Sequence, residues 1–315
     1  MGITNILLLV LGYVLLLFST KLVNGGGISI MRKGPTSDAQ ERIFSWFALS
    51  LMPFLSIAIS GGVLGLGNMV FTAALTAGVL QLLLIYGMLG ITGTYRLAGN
   101  ALRDLVLLLV CVVLLIVCTN YTWSKGHPAS TISRGMGLFL CVLAVAFTVW
   151  MLPYFMGKNR KLQRRPDTDF VPAIVFTLVG LALAGLGGVL FMNNTAALNI
   201  EQGVLGVAVI GVGLVLPEYV RVARKYWMNT QKPVSMHLTL ATGNLGLLLM
   251  IGLSAVISPI IVTFAGAYLL LACVVAIIVF GILFYVGGEV GKIKAILFLA
   301  GFALVFVLLM KFSLH

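Results

Sequence analysis

The sequence predicts an all-α, polytopic membrane protein of about ten transmembrane helices, arranged as two inverted five-helix repeats. Three observations predict it. The 315 residues are 61% hydrophobic and only 9% charged, with a mean hydropathy of +1.14, whereas a soluble domain carries about 25% charged residues. Apolar runs close to the roughly 20 residues needed to cross a bilayer recur along the whole chain. The basic residues fall almost entirely on one side of the spans that those runs define. The lipid bilayer is therefore the solvent, and the first partner, of most of the chain.

The runs fall at 4–22, 43–65, 69–93, 102–121, 136–156, 170–192, 203–226, 236–257, 260–286 and 292–311. The first lacks a basic leader and a small-residue cleavage site, so it reads as a retained helix rather than a signal peptide. Met1 and Gly2 begin like a myristoylation signal, but Ile6 stands where that signal needs Ser or Thr. The second and third runs are separated only by the short stretch 65–69, GLGNM. The tryptophans Trp46, Trp123, Trp150 and Trp227 fall near run ends, as expected of interfacial anchors. Cys111, Cys118, Cys141 and Cys273 all lie in apolar runs and read as small buried side chains, with no metal-ligand spacing.

The net charge of +12 reflects topology, not nucleic-acid binding, because the bases sit in loops without interleaved aromatics. Lys21, Arg32, Lys33 and Arg42 occupy or flank the first loop, and Arg96 and Arg103 the third. Lys158, Arg160, Lys161, Arg164 and Arg165 occupy the fifth. Arg221, Arg224, Lys225 and Lys232 flank the seventh, and Lys292 and Lys294 close the ninth. Only Lys125, Arg134 and Lys311 remain for the other side. The positive-inside rule then puts the odd loops in the cytoplasm and both termini outside, in a plasma or bacterial inner membrane.

The fifth loop, 157–169, is the longest basic run and divides the chain into a first repeat, 1–156, and a second, 170–315. It reads as a topology-setting linker. The halves share a pattern. Residues 75–87, LTAGVLQLLLIYG, and 240–252, LATGNLGLLLMIG, are identical at seven of thirteen positions. Gly78 and Gly243 coincide in that alignment, and Pro53 and Pro217 precede them by 25 and 26 residues. Two halves of five spans each have opposite orientations, which is the inverted-repeat plan of many secondary transporters.

The chemistry concentrates at Pro217-Glu218, which ends the apolar stretch GVGLVLPE at 211–218. A carboxylate near the middle of a bilayer costs about 2.5–3.5 kcal/mol on insertion scales, so it faces protein or water and has a task. Proline beside it frees a backbone carbonyl that lipid cannot satisfy.

With these residues the chain resembles the cation/calcium exchanger superfamily, typified by sodium/calcium exchangers. That family's second repeat carries a Gly-Thr-Ser-Leu-Pro-Glu core and then a Gly-Ser-Asn-Ile-Phe-Asn stretch. Here the core reads GLVLPE at 213–218. The resemblance covers nearly the whole chain in architecture and is specific around 213–259. It implies an ion or coupling site at Glu218, with Ser50, Gln81 and Asn244 as further oxygen donors. Pro53, Pro217, Gly78 and Gly243 are then the helix-break and packing positions. It also marks departures. The family's hydroxyl positions are Leu214 and Val215, its asparagines fall on Gly243 and Gly246, and its first-repeat glutamate falls on Phe54. Asn244 is one residue out of register.

Arg221 follows Glu218 by three residues and shares its helix face. It either pairs with Glu218 or snorkels to the cytoplasmic edge. His237 reads as an isolated interfacial histidine, and Glu201 and Glu289 as loop residues. Calcium wants six or more oxygen ligands, and this set is too thin, so no metal site is assigned. Two functions remain. The first is a secondary transporter, with proton- or sodium-coupled antiport of a small cation through Glu218. The second is a non-transporting accessory or scaffold subunit that binds a partner membrane protein. No nucleophile-base pair or nucleotide motif supports an enzyme, and no cofactor is implied beyond a carried Na+ or H+.

Overall fold

A computed structural model describes residues 3–34, 36–96, 101–123, 130–156, 162–163, 170–228, 237–285 and 289–313. Among them are ten helices long and apolar enough to cross a membrane. They are α1 Ile3–Met31, α2 Asp38–Val63, α3 Gly67–Thr92, α4 Ala101–Trp123, α5 Arg134–Met156, α6 Phe170–Ala196, α7 Gln202–Met228, α8 His237–Ile257, α9 Phe264–Tyr285 and α10 Lys292–Ser313. The chain is an integral, multi-pass membrane protein. Helices α3 and α8 form the centre, with 94% and 78% of their apolar windows buried, against 28% for α1 and for α6. Of the linker expected at 157–169, only Leu162 and Gln163 are among the described residues.

The packing shows the inverted repeat directly. Exchanging the halves maps α1–α5 onto α6–α10, and the main central and peripheral helix contacts follow that exchange. Helix α8 packs on α5 as α3 packs on α10, and α1–α6 and α4–α9 map onto themselves. Short strands follow the same rule. Strand Tyr95–Arg96, after α3, pairs with Glu289–Val290, before α10. Strand Ile260–Val262, after α8, pairs with Ser130–Ile132, before α5. Two polar contacts cross between the halves: Ser56 of α2 donates to the Ala184 carbonyl of α6, and Tyr13 of α1 donates to the Gly213 carbonyl of α7.

Several boundaries differ from the sequence expectation for identifiable reasons. Helix α1 runs on to Met31 because its glycine-rich end packs closely. A Cβ at Gly26 would lie 2.4 Å from Thr177 Oγ1, and one at Gly27 would lie 2.1 Å from the Phe44 ring. Helix α2 begins early, at a Ser37–Gln40 capping box, with polar first turns that hydropathy misses. The span expected at 260–286 begins instead at Phe264, because 260–262 pair as a strand. The boundary between α2 and α3 is a tight turn in which Gly65 takes φ +69°.

The prolines do not break their helices. Instead α2 and α7 stay continuous and widen into π-helical turns at Phe47–Leu51 and Gly206–Gly211, with a third at Thr76–Leu80 of α3. Such turns commonly occur at functional sites. Pro217 deprives the Gly213 carbonyl of its usual donor. The Tyr13 hydroxyl supplies the replacement at 2.8 Å.

Candidate functional site

Glu218 lies on α7 with its side chain 6% exposed. One turn on, Arg221 Nη2 donates to Glu218 Oε1, and Arg221 Nη1 donates to Ser50 Oγ of α2 at 3.1 Å. Thr239 Oγ1 of α8 donates to the same carboxylate oxygen at 3.0 Å. Of the two alternatives open for Arg221, the structure shows pairing. The guanidinium holds the volume beside the carboxylate that a bound cation would need. Tyr86, fully buried on α3, lies within electrostatic reach of both charges.

The cluster lines a cleft of about 760 Å³ between α1, α2 and α7, to which Thr242 of α8 also contributes. Leu17, Phe54 and Leu214 make apolar walls, and Lys21 and Arg224 stand along it. Among the described residues, no group of three His, Cys, Asp or Glu side chains is close enough to hold a metal ion.

The other expected donors are elsewhere. Gln81 is buried, and its Nε2 is spent on the Gly78 and Thr239 carbonyls at 3.3 and 3.2 Å, where it ties α3 to α8. Asn244 is fully buried, and neither of its side-chain polar atoms has a partner among the described residues. At 100° per residue it sits roughly 140° around α8 from Thr239, off the face that meets Glu218. The register that puts it there is locked. A Cβ at Gly243 would lie 2.5 Å from the Gly78 carbonyl, and one at Gly246 would lie 2.5 Å from the Phe54 ring. Gly78 and Gly243 are thus the crossing point of α3 and α8. The two glycines at the asparagine positions are filled from across the interface, one by backbone and one by a phenyl ring.

Several residues that the fold brings together carry no linear signal. Thr239 and Thr242 are adjacent on one face of α8, and Thr242 accepts from Trp46 Nε1 at 2.9 Å. Trp46 is therefore a buried packing residue, 6% exposed, and not an interfacial anchor. Asp104, 3% exposed at the start of α4, meets His237 Nδ1 at 2.5 Å. His237 is paired rather than isolated, and only the fold brings the starts of α4 and α8 together. Glu201 is no bystander either, since it caps the start of α7 by accepting from Val204 N at 2.9 Å.

No family model matches the chain, and no curated protein sequence does. Solved structures do match, over nearly its full length. A ten-helix inverted repeat with a buried carboxylate is an architecture that many secondary transporters share. The chain is similar to the H+/Ca2+ exchanger CAX, with 12% identity, a TM-score of 0.65, and 98% of this chain and 86% of that one covered. It is also similar to the sodium-calcium exchanger NCX_Mj soaked without Na+ or Ca2+, with 18% identity, a TM-score of 0.58, and 98% and 100% covered. The same exchanger soaked with 10 mM Na+ gives 16% identity and a TM-score of 0.54, with 98% and 99% covered. The fold is that of the cation/calcium exchangers.

Proposed function

We propose that the protein is a secondary transporter of the exchanger fold, coupled to a proton or a sodium ion at Glu218, and not a calcium exchanger. The observation that carries this is the Glu218–Arg221–Ser50 cluster lining the cleft. One carboxylate can take one proton or help hold one monovalent cation. Either event displaces Arg221, whose side chain is 26% exposed and already faces the cleft. Binding is thereby tied to movement of a charge on α7. A divalent ion would need far more oxygen, and the positions that supply it in the resembling family are Phe54, Leu214, Val215, Gly243 and Gly246 here. The similar proteins bear the names of sodium-calcium and H+/Ca2+ exchangers; their shared architecture supports transport, while the residues of this chain argue against calcium.

The test is flux in proteoliposomes, read with a pH-sensitive dye and with labelled sodium and calcium. Proton or sodium movement without sodium-dependent calcium uptake supports the reading. A second reading, an accessory or scaffold subunit, is favoured by one fact: Glu218 and Arg221 satisfy each other inside the fold. It expects no flux of any of the three ions.

The proposed sidedness has both termini outside and the basic 157–169 linker in the cytoplasm, from the charge distribution. Cysteines introduced at Lys161→Cys and Ser313→Cys are expected to label from opposite faces. Equal labelling from outside rejects that sidedness.

A further inference from the structure

The cleft has a second property that ion coupling does not use. On α1 its lining runs Val14, Leu17, Phe18 and then Lys21, a single helical face that ends in a cation. On α7 it runs Leu214, Pro217, Val220, Arg221 and Arg224. Both helices thus grade from apolar walls to positive charge in the same direction. Several wall residues also face outward, Val14 being 53% exposed, Phe18 51% and Val220 57%. The cleft therefore opens sideways, where acyl chains lie.

The charges are unbalanced. Glu218 is the one acidic residue among the described lining, and Arg221 already engages it. Lys21 and Arg224 have no acidic partner among the described residues, and both are exposed. A volume of about 760 Å³ falls within the roughly 300–1,000 Å³ typical of ligand pockets. Basic pockets between transmembrane helices are suited to anionic lipid head groups.

We propose that this cleft holds one anionic phospholipid from the surrounding leaflet. Its phosphate lies on Lys21 and Arg224, and an acyl chain lies along Val14, Leu17, Phe18 and Leu214. The amphiphile matches the cleft in both respects: the tail takes the apolar walls and the phosphate takes the two unpaired cations. The bound phosphate also lowers the positive potential in front of Glu218, which otherwise repels any approaching cation.

The test is lipid retention by the full chain in neutral detergent, read by native mass spectrometry with titrated phosphatidylglycerol or phosphatidylcholine. The parent is expected to prefer phosphatidylglycerol by about tenfold or more. The double variant Lys21→Gln, Arg224→Gln is expected to lose that preference. Val14→Trp, which fills the lipid-facing wall and leaves the charges, is expected to weaken retention of both lipids. Lys292→Gln with Lys294→Gln removes the same charge elsewhere and is expected to change nothing. Equal retention of the two lipids by the parent overturns the proposal. So does equal loss in the two charge variants, or full retention by Val14→Trp. Soluble glycerol phosphate is expected not to compete; displacement of the lipid by it at matched concentration would make this a free-phosphate site and also reject the proposal. Retention requires no transport, so the result stands whatever the flux measurement gives.

Discussion

The two halves of the molecule keep the same skeleton and differ in chemistry. Pro53 and Pro217 occupy matching helices, and Gly78 and Gly243 meet at the crossing of α3 and α8. At the position after each proline, one half has Phe54, buried and packed on Gly246, and the other has Glu218, paired with Arg221. The positions that hold the fold together are retained in both repeats because close packing punishes any change. The positions that would hold an ion are not. The polar cluster is therefore drawn mainly from the second repeat, with the Ser50 hydroxyl contributed by the first.

The largest effect expected from that asymmetry is electrostatic. Arg221→Leu leaves the Glu218 carboxylate buried without its countercharge and is expected to cost about 3–5 kcal/mol, whereas removing both members is nearly neutral. Thermal melting of Arg221→Leu beside Glu218→Gln, Arg221→Leu checks this. The corresponding change in the other half, Phe54→Leu, only trims apolar volume and is expected to cost about 1–2 kcal/mol. Similar costs for the two changes would dissolve the contrast between the halves.

Packing supplies the next comparison. A methyl at Gly243 would press on the Gly78 carbonyl at 2.5 Å, while a methyl at Gly78 would meet the Gly243 carbonyl at 3.1 Å. Gly243→Ala is expected to cost about 2–3 kcal/mol and Gly78→Ala about 1 kcal/mol. The reverse order in melting would mean that the crossing is positioned differently.

A smaller difference is expected at two hydrogen bonds that cross between the halves. Tyr13→Phe strips the Gly213 carbonyl of its replacement donor, for about 1–2 kcal/mol. Ser56→Ala removes a bond to a carbonyl within regular helix, for about 0.5–1 kcal/mol. Melting of the two single variants orders them.

Composition and charge placement made the membrane class, the ten spans and the inverted repeat legible, because lipid imposes length and sidedness on sequence in a simple way. Glu218 was legible because a charge inside an apolar run is expensive. Its pairing with Arg221 was legible only as an alternative, since spacing puts the two on one face without saying whether the arginine turns inward. Thr239, Tyr13 and the Asp104–His237 pair were not legible. Each depends on a helix from a distant part of the chain, and a lone threonine, tyrosine or aspartate in one span carries no sign of its partner. Asn244 shows the converse limit. Its chemistry suits an ion, but the glycine contacts that lock α8 turn it away from Glu218, and those contacts exist only in three dimensions.

In the proposed function, Glu218 is the working group of a one-carboxylate site. The double variant Glu218→Gln, Arg221→Leu tests it most directly, because it removes the carboxylate without leaving a charge stranded in the fold. In proteoliposomes, the parent is expected to carry proton- or sodium-coupled flux and no sodium-dependent calcium uptake, and the folded double variant is expected to carry neither. Undiminished flux in the double variant, or robust sodium-dependent calcium uptake by the parent, would contradict the claim.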